Sequence, residues 1–140
     1  MLTSTILSLC DAKIIAAAAA NKAAERGWPV VIAVLDQGGH LLYLERADEA
    51  QLGSIVVAQE KARTALLFRR PTKALQDRVN DGRVNMLMLP GATPIEGGLP
   101  LIKEGRIVGG IGVSGVQSDE DAEVAAAGAA AVELLTQAKV

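Results

Sequence analysis

Ile107-Val108-Gly109-Gly110-Ile111-Gly112-Val113-Ser114-Gly115 decides how this chain must fold. Its β-branched residues read as a buried strand. Yet five of its nine residues, four glycines and a serine, carry at most a hydroxymethyl side chain. Alternation along a strand sends Ile107, Gly109, Ile111 and Val113 to one face, and Val108, Gly110, Gly112 and Ser114 to the other. A face this bare is expected to admit another backbone at close range, which makes Gly110, Gly112 and Ser114 a close-packing strand. An alanine-faced helix is the expected guest; a flat ligand or a neighbouring subunit is the alternative.

The same stretch contains a G-x-G-x-x-G pattern, Gly110 to Gly115, between a strand and a helix, the arrangement of a dinucleotide fingerprint. A Rossmann site also needs a second, parallel strand ending in an acidic residue. No such strand is expected after the helix that follows Gly115. That helix opens on Asp119, Glu120 and Asp121, which suit its positive end but would repel a pyrophosphate. NAD is therefore disfavoured.

Working outward, Leu99–Lys103 and Arg106–Ser114 form a hairpin across Glu104-Gly105. Val30–Leu35, an unbroken apolar run, pairs with His40–Glu45 across the turn Asp36-Gln37-Gly38-Gly39. Met86–Leu89 is expected as a fifth, short strand. Ser8 and Asp11 fit a capping box for a first helix that stops at Gly27. A second helix runs from Ser54 to Phe68, ending before Arg70-Pro71. Thr72 caps a third, with Leu75 and Val79 as its apolar positions. Ser118–Asp121 reads as another capping box, opening a terminal helix with Val124, Ala131 and Leu135 inward. Two hairpins require antiparallel pairing. The fold class is therefore α+β, one antiparallel sheet of about five strands with helices packed on it, in a single domain over residues 1–140.

Composition narrows function by exclusion. Hydrophobic residues make up 50% of the 140 and aromatics only 2%, so the core must be built from Ala, Val, Ile and Leu. A formal charge of -2 gives no electrostatic footprint for nucleic acid or an anionic membrane. The one cysteine, Cys10, excludes an internal disulfide and fits a reducing compartment. Met1–Ala20 has no basic leader region and no spanning length, so a cytoplasmic protein is expected. The small-residue, apolar composition favours self-association.

Few residues carry chemistry. Gly112-Val113-Ser114-Gly115 approaches the nucleophile pattern G-x-S-x-G, but Val116 stands where its last glycine belongs. One histidine, His40, and one cysteine cannot supply a four-ligand zinc set, so no metal is expected. Lys61 and Arg63, with Arg69 and Arg70, form a basic region that reads either as a solvated helix face or as an anchor for a ligand carboxylate or phosphate. Glu96-Gly97-Gly98 is a glycine-opened loop entering a strand, either a ligand contact or a tight crossover.

Together these segments resemble a known family. Val34–Leu41, Ala58–Ala65, Glu96–Leu101 and Val108–Gly115, with Asp119–Asp121 following, look like the GlcG/HbpS family, which includes the C-terminal domain of PduO-type proteins. The resemblance spans nearly the whole chain. It implies a profilin-like α/β/α sandwich with a five-stranded antiparallel sheet, assembled as a homo-oligomer from dimer to octamer. It also implies a small-ligand-binding protein accessory to glycolate, diol or glycerol metabolism, with haem or a related tetrapyrrole as a candidate ligand. His40 is then the one imidazole for an axial position. Lys61, Arg63, Glu96, Gly97 and Gly98 would supply polar contacts. An enzyme using Glu96 as acid/base beside Lys61 or Arg63 is the second reading. A structural or assembly subunit without a ligand is the third.

Overall fold

The computed structural model describes residues 1–137. Helix α1 is Leu9–Arg26, and the hairpin β1 (Val31–Asp36) and β2 (Leu41–Arg46) follows. Then come α2 (Ser54–Phe68), α3 (Thr72–Asn80), a second hairpin β3 (Gly98–Lys103) and β4 (Arg106–Ser114), and α4 (Ser118–Ala130). The four strands make one antiparallel sheet in the order β2-β1-β4-β3. The two apolar strands thus lie at its centre, covered on both faces.

The sheet divides two unequal cores. On one face Ile32, Val34, Ile111 and Val113 meet the buried stripe Ala12, Ile15, Ala16, Ala19 and Ala23 of α1, with Val124 and Ala125 of α4. These α1 positions fall three and four apart, the spacing that lines one side of a helix. On the other face Val31 and Ala33 meet Ala58 of α2. Here β4 contributes backbone instead of side chains. A Cβ on Gly112 would overlap the Ala58 carbonyl, and one on Gly110 would sit 2.6 Å from the Ala62 carbonyl. The guest on the bare face is therefore α2. Its alanines, not an open pyrophosphate cleft, occupy the space over the G-x-G-x-x-G strand.

Four expectations are corrected. The sheet has four strands and not five, because Val84–Met88 forms a 3-10 helix where a strand over Met86–Leu89 was expected. A strand needs a ladder or a buried face, and this segment buries none of its residues, with Val84 at 64% and Met88 at 81% exposure. Its local bonds, Met86 N–H to Arg83 O and Leu89 N–H to Met86 O, satisfy the backbone instead. Pro100, unable to donate to a ladder, sits on edge strand β3. Val108 leaves the glycine face, because a bulge opposite Leu101 and Ile102 makes it the extra residue and seats it in the α1/α4 core. Thr72 is the first residue of α3 and not its cap, its hydroxyl being engaged by Gly98. Gln117, not Ser118, precedes α4, and its N–H donates to Glu120.

Candidate functional site

α2 carries a charged side chain that is almost fully enclosed. Lys61 follows the stripe that rides on β4 and is only 2% exposed. Its Nζ donates to Asp121 Oδ2 at 2.9 Å and to the Val113 carbonyl at 3.0 Å. The other carboxylate oxygen of Asp121 accepts the Val116 N–H at 3.1 Å. Burial pushes the Asp121 carboxyl above the usual carboxylate range, and the bond and charge of Lys61 draw it back part of the way. This one contact joins α2, the end of β4 and the first turn of α4.

The Glu96–Gly98 loop is fitted around that contact. A Cβ on Gly98 would overlap the Lys61 carbonyl, and one on Gly97 would lie 2.8 Å from Lys61 Nζ and from the Val113 carbonyl. Gly97 also holds φ at +128°, a conformation open chiefly to glycine. Thr72 Oγ1 accepts the Gly98 N–H at 2.9 Å, and Gln76 Oε1 accepts that of Glu96 at 2.8 Å. Lys61, Gly97 and Gly98 therefore come together, with Lys61 turned to Asp121. Arg63 is exposed on α2. Glu96 is half-buried, and it forms no ion pair with Lys61 or Arg63 among the described residues.

His40 lies elsewhere, at the turn joining β1 and β2. Asp36 Oδ1 accepts the N–H groups of Gly38 and His40 at 2.9 and 3.0 Å, which pins the turn. The imidazole is 84% exposed, and its Nδ1 stands 3.6 Å from the same oxygen, too far for a hydrogen bond. The ring stands in solvent, with Nδ1 on its Asp36 side. Ser114, at the far end of β4, donates to Ser54 Oγ at 3.0 Å and closes the seam with α2.

At the His40 end of the sheet lies an open cavity of about 440 Å³, lined by Ser4, Thr5, Gln37, Leu66, Arg69, Gly105, Arg106 and Ile107. Reading the sequence missed two features. Its pattern places Asp121 in a helix cap, whereas the folded chain turns it inward to Lys61. Arg106 has no local signal, because only the return of the β3–β4 hairpin brings it beside the end of α2.

Comparison with known proteins places this geometry. The family described as "Haem degrading protein HbpS-like" matches residues 7–130. The chain is 46% identical over 114 residues to Protein GlcG of Escherichia coli K12, covering 81% of this chain and 85% of that protein. A crystal structure of a double mutant of Streptomyces reticuli HbpS superposes with a TM-score of 0.84 at 37% identity, over 93% of this chain and 89% of that one. A structure described as a PduOC:Heme complex superposes with a TM-score of 0.81 at 29% identity, over 91% and 95%.

Proposed function

This chain belongs to the HbpS-like family, and from that premise we propose that it binds haem or a related tetrapyrrole, whose iron His40 would hold. The observation that carries the reading is the likeness of nearly the whole chain to a haem-complexed domain, together with an imidazole that is 84% exposed. His40 fits the chemistry of the group: a neutral imidazole is a common ligand of haem iron. Its backbone is fixed by Asp36, so the ring projects from an ordered turn. Bound haem would supply the iron and its redox chemistry. The chain's own part is to present the imidazole and to hold the edge of the ring.

One protomer offers the imidazole on an exposed turn without an enclosing apolar wall, so the porphyrin would lie at a boundary between copies. Exposed Leu41 beside His40 would face it. In this reading the protein is a homo-oligomer, and its role is accessory to the metabolism of glycolate, diols or glycerol. Arg63 and Glu96, not enclosed as Lys61 is, are the side chains of that region left to contact a ligand. The acid/base enzyme reading lacks support, because Glu96 has no paired cation in Lys61 or Arg63.

A haem titration followed by Soret absorbance tests the proposal. A saturable shift is expected in the wild type and a weakened, spectrally altered one in His40→Ala. No saturable shift in the wild type removes haem as the ligand. An identical shift in His40→Ala removes the histidine.

A further inference from the structure

The cavity at the hairpin end of the sheet has a lining whose charged side chains are both arginines. Arg69 and Arg106 both line it, with the hydroxyl residues Ser4 and Thr5 and the amide Gln37, and no acidic side chain does. Neither arginine takes part in an ion pair among the described residues. Guanidinium groups bind oxyanions in bidentate fashion, and two together favour a carboxylate or phosphate. Leu66 and Ile107 add apolar surface to the same wall. About 440 Å³ is the size of a small-metabolite pocket.

The framework around the cavity is ordered. Arg69 ends α2 with φ at +58°, its N–H bonded to the Ala65 carbonyl. Arg106 opens β4 directly after Glu104 and Gly105, whose φ values of +51° and +74° make the tight turn. Residues 4 and 5 are held as the outer wall, because Gln37 Nε2 donates to Ser4 Oγ at 2.8 Å and Leu7 anchors the segment in the core. The carbonyl end of α2 opposes an anion here, and the charge of the two arginines offsets it.

We propose that this cavity is a site for a small organic acid, its carboxylate held between Arg69 and Arg106 and its short carbon body against Leu66 and Ile107. The site stands on the cavity lining and not on the haem reading. Calorimetric titration of the full chain with hexanoate, hexan-1-ol and inorganic phosphate tests it. Hexanoate should bind saturably and hexan-1-ol should not. Arg106→Gln and Arg69→Asn should each weaken hexanoate about tenfold or more, as loss of a charge-assisted contact does. Asparagine tolerates the left-handed backbone at position 69, and unchanged thermal melts confirm that both variants fold. His40→Ala should leave hexanoate binding intact, which separates this site from the haem ligand.

Absence of saturable hexanoate binding overturns the proposal, as does wild-type affinity in both variants. Arginine-dependent binding of phosphate without hexanoate also overturns it. A further arm compares haem with its dimethyl ester. If hexanoate fails while the arginine variants weaken haem and not the ester, the oxyanion is a propionate and the free-acid site is rejected.

Discussion

Lys61 shows what one buried side chain can organise. It is anchored by a carboxylate 60 positions away, and both partners are 2% exposed. Removing one member of such a pair strands the other, at a cost of about 3–5 kcal/mol. We therefore expect Asp121→Ala or Lys61→Met to lower the unfolding free energy, measured by urea denaturation, by that amount. Lys61→Met with Asp121→Leu should be milder than the sum of the single variants, and strict additivity would show the two sites to be uncoupled. Acidity gives a second test. Burial raises the Asp121 carboxyl, so above the usual carboxylate pKa the folded chain keeps a proton the unfolded chain has released. The contribution of this group then declines as pH rises through its folded pKa. The stability gap between wild type and Asp121→Asn should narrow from about pH 4 upward; a gap that widens rejects the assignment. The sequence singles out Lys61 but not its partner, because tertiary packing alone decides which of three adjacent acids turns inward.

At the scale of elements, local chemistry is widely legible. The Ser8–Asp11 capping box forms with bonds of 2.8 and 3.1 Å. Strand β4 runs from Arg106 to Ser114, and α2 runs from Ser54 to Phe68, both as their residue patterns predict. The misses occur where local pattern competes with position. Val84–Met88 has strand-like residues but no neighbour to pair with, and Val108 has the parity of a glycine-face residue but sits in a bulge. The seam between β4 and α2 is where small changes should cost most. Gly112→Ala places a methyl group against the Ala58 carbonyl, so destabilisation near the upper end of the roughly 1–3 kcal/mol of overpacked cores is expected. Gly53→Ala, whose Cβ would meet nothing within 4 Å, should cost far less. Equal urea midpoints for the two variants would contradict this account of the seam.

For the whole molecule, the family and the three-layer α+β arrangement are readable from four ordered motifs, whereas the partner of Asp121 and the arginine-lined cavity arise only on folding. Among the described residues no helix is long and apolar enough to cross a membrane. Exposed Leu2, Ile6, Leu52, Val56, Leu87 and Met88 leave apolar surface on a single copy, which association would cover. Light scattering coupled to size exclusion should give a mass that is a multiple of 14.5 kDa; a monomer at working concentration would count against the boundary site for haem. The glycine-to-alanine seam has one more consequence, for how this sequence can vary. Ala58 and Gly112 share a fixed volume, so enlarging either consumes space the other cannot release. Substitutions along α2 and β4 should therefore be strongly epistatic. In a paired mutational library, survivors at one position should depend on the residue at the other.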